Sequence, residues 1–109
     1  MDNKALLERF FKAENERDWE TYAACLHEDV MWFIHAEDGH TPVAGREEYL
    51  ETVKKGAEKG GSFTCERMDV SRSGARIAAL IVSEDGGRSL GVFDFEDGLI
   101  RWEHEFLFD

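Results

Sequence analysis

Basic residues are scarce in this sequence. Lysine and arginine together number 13 against 24 acidic residues, for a formal net charge of -11 over 109 residues. A chain this acidic lacks the basic patch that nucleic acid or an anionic membrane surface requires, so neither is an expected partner. Long apolar runs are also missing. The longest, VMWFI at 30–34 and IAALIV at 77–82, fall far short of the ~20 residues needed to cross a bilayer. The two cysteines, Cys25 and Cys65, sit in apolar contexts without metal-ligand spacing, which reads as free buried thiols in a reducing compartment. MDNKALLERFF at the start has no basic segment leading into an apolar stretch and no small-residue cleavage site, so no secretory signal is read and a cytoplasmic location is expected. A glycine-rich phosphate loop is absent too, EDGGR at 84–88 reading as a hairpin turn. No cofactor is expected.

What is present suits one compact domain over residues 1–109, because a chain of this length hides roughly two thirds of its unfolded surface. Leu6, Leu7, Phe10 and Phe11 recur at helical spacing in residues 3–16, with Asp2 or Asn3 as the cap. A second short helix restarts at Asp18 and carries Trp19, Tyr22, Ala23 and Leu26 on one stripe. DVMWFIH at 29–35 is a strand with apolar residues on both faces, so something covers both sides of it. AEDGHTPVAG at 36–45 reads as a loop. The third helix follows in GREEYLETVKKGAEKGG, its glutamates early and its lysines late as the helix dipole favours. Strands over about 62–72, 75–84, 88–96 and 99–108 are then separated by Ser73-Gly74, Asp85-Gly86-Gly87 and Asp97-Gly98, each a hairpin signal. The sum is α+β: helix, helix, strand, helix, then a four-strand antiparallel meander.

Three stretches carry a resemblance: NERDWETYAACLHEDVMWFI at 15–34, VAGREEYLETV at 43–53 and FEDGLIRWEHEFLFD at 95–109. In this order they resemble the NTF2-like superfamily, and within it the SnoaL-like and ketosteroid-isomerase-like small proteins. The resemblance covers nearly the whole chain. It implies a cone-shaped fold in which a curved mixed sheet wraps around three helices and encloses a mostly apolar pocket. It also implies a homodimer formed through the outer sheet face. The fold hosts isomerases, cyclases, dehydratases, epoxide hydrolases and non-catalytic binders, so it does not choose an activity.

Individual templates discriminate further. The steroid-isomerase pattern puts Phe10 where its tyrosine belongs, Gly91 where its protonated acid belongs, and Ile34 or His35 where its base belongs. An epoxide-hydrolase pattern finds only Arg67, Asp69 and Asp94, with Met68 and Val70 reading as the inward face of that strand. A cyclase pattern needs one group that moves a proton beside a carbonyl, and histidine titrates in the right range. His35, His40 and His104 are the candidates.

In the last strand, strict alternation sets Ile100, Trp102, His104, Phe106 and Phe108 on one face, with Arg101, Glu103 and Glu105 as a polar row on the other. On that phase His104 points inward, and His104 with His35 are the expected catalytic residues. Phe10, Trp19, Trp32, Tyr49, Met68, Trp102 and Phe106 are the expected pocket lining. The three histidines lack metal-ligand spacing, so no metal is expected. Partners for a histidine base are sought among Tyr22, Tyr49, Glu66 and Asp94. The expected function is a small pocket protein holding a hydrophobic or aromatic molecule; the alternative is a cofactor-free isomerase, cyclase, dehydratase or hydrolase with a pocket histidine as acid and base.

Overall fold

The computed structural model describes residues 2–108. Helices α1 (Asn3–Glu16) and α2 (Trp19–Ala24) are followed by β1 (Leu26–Ala36), β2 (Gly39–Ala44) and α3 (Arg46–Lys59). Strands β3 (Phe63–Val70), β4 (Arg76–Ser83), β5 (Arg88–Glu96) and β6 (Leu99–Leu107) complete the chain. Asp2 caps α1 by accepting the Ala5 amide at 2.8 Å, and Asp18 caps α2 by accepting that of Thr21. None of the described helices is long and apolar enough to cross a membrane.

The six strands form one mixed sheet in the order β2-β1-β6-β5-β4-β3. Its β3 to β6 portion is the expected meander, and β1 joins β6 in parallel. The end strands β2 and β3 do not pair, so the sheet is open and not closed into a barrel. One expectation fails here: residues 36–45 are not a loop but the turn and second strand of a hairpin with β1. Its Pro42 obscured it, and Pro42 is tolerated because β2 is an edge strand whose outer side needs no donor.

The helices lie on the inner face, where Leu7, Phe10, Tyr22, Tyr49, Val30, Ile77, Phe93 and Ile100 are fully buried. The apolar face of β1 opposite to Val30 and Trp32 carries Met31, Phe33 and His35 and looks outward.

Alternation breaks in β6. Glu96 pairs with Leu99 and Phe95 with Ile100, as the Asp97-Gly98 turn dictates, but Asp94 then pairs with Trp102 and leaves Arg101 as an extra residue. Past this bulge the faces exchange. Ile100 is in the core, whereas Trp102 turns outward under the Arg101 guanidinium, 4.3 Å from its ring centroid. Glu103 and Glu105 point inward and His104 and Phe106 outward. A second bulge at Glu66 sets Met68 against the core while Arg67 and Asp69 pair with each other in solvent.

Gly91 sits on the inner face of β5, where an added Cβ would lie 2.7 Å from Cε1 of Phe93. Phe93 is itself held edge-on to Phe10 and Phe11. Gly91→Ala is expected to destabilise by about 1–3 kcal/mol, the usual range for an overfilled core. Thermal denaturation measures it, at roughly 4–8 °C per kcal/mol for a domain of this size.

Candidate active site

A cavity of about 720 Å³ opens between the inner face of β4, β5 and β6 and the helices α1 and α3. Its rim is formed by Lys59 at the end of α3, by Gly60 and Gly61 after it, and by Glu84, Asp85 and Gly87 in the β4–β5 turn. One wall is apolar, with Phe11, Phe63, Ile81 and Phe93. The other carries three carboxyl groups, Glu14, Glu103 and Glu105, beside the rings of Tyr22, Trp32 and Tyr49.

Each polar group reaches this wall for a local reason. Glu14 extends the Leu7–Phe10–Phe11 stripe by one helical turn, so α1 delivers it to the core side. Tyr22 is the buried residue of α2 and stacks on Phe10 with centroids 4.0 Å apart. Tyr49 enters from the first turn of α3 and lies 4.5 Å from the Trp32 ring. The bulge at Arg101 supplies Glu103 and Glu105.

The groups form two hydrogen-bonded sets. Tyr22 donates to Glu14 at 3.1 Å, and Tyr49 donates to Glu103 through a short contact. The Tyr22 and Tyr49 rings lie with centroids 6.1 Å apart, so the first set consists of two adjoining pairs, Glu14–Tyr22 and Tyr49–Glu103. In the second, the Trp32 indole N–H donates to Glu105 at 3.2 Å and Ser89 also bonds to that carboxyl.

Burial decides the protonation states. It pushes the Glu14 carboxyl up to about 6, against the Tyr22 hydrogen bond and the Arg17 charge, with Glu105 adding to the rise. Glu103, only 6% exposed, is raised well above the carboxylate range, first by burial and then by repulsion from Glu105, and its bond from Tyr49 offsets only part. Glu105 is raised by burial against its Ser89 and Trp32 bonds. Both tyrosines are held neutral, chiefly by burial. The cavity therefore sets Glu14, at about 6, beside Glu103, which burial drives towards its protonated form. Such a contrast is what acid–base chemistry requires.

Arg17 shapes the rim. It ends α1 with φ of 61° and sends its guanidinium to the carbonyls of Ala57 and Gly60 at the end of α3, at 3.3 and 3.1 Å. One cation thus satisfies the exposed carbonyl ends of two helices.

The residues singled out from sequence divide sharply. Phe10, Trp32 and Tyr49 line the cavity. Trp19 packs edge-on to Tyr22 behind it, and Met68 borders a separate shallow depression between α1 and β3. Trp102, Phe106, His35 and His104 stand on the outer sheet face, because the Arg101 bulge reverses the phase on which they were read as inward. His35 Nε2 and His104 Nδ1 are 3.0 Å apart there, with Phe33 stacked on His104 and Phe106 on His35. Asp94 is bound by Arg76. His27 lies in β1, accepting the Asp29 amide at Nδ1.

Glu14, Glu103 and Glu105 were missed. Strict alternation hid the last two, but Glu14 was legible: it stands four residues after Phe10 on the apolar stripe.

A family model for the SnoaL-like domain matches residues 7–103. The chain belongs to the SnoaL-like family. No curated protein matches it in sequence. Among solved structures it is similar to a protein from Kribbella flavida DSM 17836 provisionally named a ketosteroid isomerase, at 24% identity and a TM-score of 0.82, covering 98% of this chain and 78% of that one. An NTF2-like protein from Cytophaga hutchinsonii ATCC 33406 gives 17% identity and a TM-score of 0.78 over 98% and 90% of the two chains. An LEH-like epoxide hydrolase from M. tuberculosis gives 18% and 0.72 over 94% and 80%. These similarities establish the NTF2-like α+β fold of this SnoaL-like protein.

The raised carboxyls link stability to pH. A carboxyl whose folded pKa exceeds its unfolded value favours folding below the unfolded value and loses that contribution as pH rises through the folded one. For Glu14 that window runs from about 4.5 to about 6. For Glu103 it extends higher. Glu103→Gln keeps the shape and abolishes the ionisation, so it is expected to raise the melting temperature at pH 8 relative to the parent and to leave it nearly unchanged at pH 4. The gain should be larger at pH 8 than at pH 6, because only the parent carries the cost of ionising a buried carboxyl. Thermal scans of both proteins across this pH range make the comparison.

Proposed function

We propose that this SnoaL-like protein is a cofactor-free proton-transfer enzyme acting on a small, largely apolar carbonyl compound. The observation that carries the reading is the pairing, in one cavity, of a carboxyl poised at about 6 with a carboxyl held protonated beside a tyrosine. Glu14 takes a proton from the carbon next to the carbonyl. Protonated Glu103, its other oxygen held by the Tyr49 hydroxyl, donates to the carbonyl oxygen and stabilises the negative charge that develops there. The apolar wall holds the body of the molecule. A cavity of this volume lies within the common range for small-molecule sites.

Pure binding, the expectation from sequence, rested on the absence of a polar partner for a histidine base. The histidines lie on the outer sheet face, and the reading is supported by the carboxyls and tyrosines that share the inner wall. The likeness to a provisional ketosteroid isomerase supports the fold of this reading, with different residues in the chemical roles.

We also assign the outer sheet face to a second copy of the chain, supported by Phe106 and Phe108, 37% and 52% exposed, beside the half-buried Phe33 and Trp102. The two unpaired thiols, Cys25 buried and Cys65 half-buried, suit a reducing compartment.

Exchange of α-hydrogens tests the enzyme reading without knowledge of the natural substrate. Cyclic ketones and enones in deuterated buffer, followed by proton NMR, should exchange faster with the protein than without it. The rate should rise with pH around 6 as Glu14 ionises and fall once Glu103 loses its proton. Glu14→Gln should lose roughly 10²–10⁴-fold, the usual contribution of a general base. Exchange across the panel that stays at the buffer rate, or is untouched by Glu14→Gln, overturns the proposal and returns the protein to a binding role. Sedimentation equilibrium tests the second copy: the parent should sediment at twice the chain mass and Phe106→Glu at the single mass, and a parent at the single mass refutes it.

A further inference from the structure

Outside the cavity, His35, His104 and His40 occupy neighbouring places on three adjacent strand segments of the outer face. His35 pairs directly with His40 across the β1–β2 hairpin, and His104 of β6 sits one step diagonally from His35. The ring centroids of His35 and His40 are 5.7 Å apart, and His35 Nε2 meets His104 Nδ1 at 3.0 Å. Two ring nitrogens at hydrogen-bond distance share a single proton, because an N–H on each would clash.

We propose that this histidine row binds a divalent transition metal ion such as Zn²⁺ or Ni²⁺. A tetrahedral ion with nitrogen ligands at about 2.0–2.1 Å sets those nitrogens a little over 3 Å apart. The His35–His104 pair already stands at nearly that separation, so small ring rotations let an ion replace the shared proton. For a third ligand, His40, exposed on the edge hairpin with its ring centroid 5.7 Å from that of His35, must turn towards the pair. Phe33 and Phe106 flank the row and fix the planes of His104 and His35. The site is built from one chain, and a second copy covering this face would bring a symmetric site with it at the same stoichiometry per chain.

A competing cluster tests the assignment. His27, Glu96 and Asp97 bring three potential ligand atoms within 4.8 Å of one another, but both carboxylates are exposed and Glu96 already pairs with Arg101. Isothermal titration of the untagged protein with Zn²⁺ and Ni²⁺ at pH 7.5 is the experiment. Saturable binding with proton release is expected. His35→Phe and His104→Phe should each weaken it at least ~10-fold, while His27→Asn should leave it unchanged. Cross-peaks of the His35 and His104 ring nitrogens in ¹⁵N–¹H spectra should shift on addition of either ion. Circular dichroism of each variant checks that the fold is retained, and His40→Ala, on an exposed edge, weakens binding without touching the stacked rings. No saturable binding at millimolar metal, or binding lost in His27→Asn and kept in the outer-face variants, overturns the proposal.

Discussion

The extra residue at Arg101 is the constraint on which the rest of the molecule turns. The Asp97-Gly98 turn fixes Ile100 opposite Phe95 in the core, and without a bulge the same phase would send Trp102, His104 and Phe106 inward. Those rings would fill the cavity, and two glutamates would join the outer face. With Arg101 set aside, β6 instead keeps Ile100 in the core and then presents Glu103 and Glu105 to the helices. Arg101 is held in its unusual place by contacts of its own, a hydrogen bond to the Asp29 carbonyl, the Glu96 carboxylate at 3.4 Å and the Trp102 ring beneath its guanidinium. An arginine suits that position because one planar fork serves both polar partners while its face covers an indole.

Carboxyl groups in a protein interior are tolerated when they are neutral or well hydrogen-bonded. Here both conditions apply. Glu103 has Tyr49, Glu14 has Tyr22, and Glu105 has Trp32 and Ser89. Each partner hydroxyl or indole belongs to a ring that is itself packed in the aromatic core, so the hydrogen bonds fix side-chain positions as well as charges. The arrangement stores a conflict all the same. Three acids in one low-dielectric pocket repel when ionised, and the fold resolves the conflict by keeping protons on the deepest of them. A stability penalty at higher pH is the physical counterpart of a reactive protonation pattern at neutral pH.

Much of the frame was legible because it depends on local chemistry. The glycines after Ser73, Asp85 and Asp97 announce the turns of the meander, and Asp2 and Asp18 announce the helix starts. β2 was not legible, since Pro42 and Gly39 look like loop residues until the strand is known to lie at an edge. The site was less legible than the frame for one reason. Periodicity predicts which way a side chain points only while the register is unbroken, and each bulge inverts every assignment downstream of it. His104 was read as inward on that basis and Glu103 as outward. Tyr49 and Phe10 escaped the error because helical periodicity carries no such slip, and Glu14 lay on the same stripe as Phe10.

The two sets of titratable groups on β6 are separated by one position in sequence and by the thickness of the sheet in space. Glu103 and Glu105 face an aromatic-lined cavity where desolvation raises their proton affinity. His104, between them, faces outward beside His35 and Phe33. The strand therefore carries an acid that holds its proton on one face and, across the sheet, a histidine pair that shares one. Neutral carboxylic acids donate hydrogen bonds to a developing oxyanion, and neutral imidazoles donate lone pairs to a metal. The sheet separates the carboxyls from the histidines by geometry alone, and the one-residue bulge decides which residue faces which side.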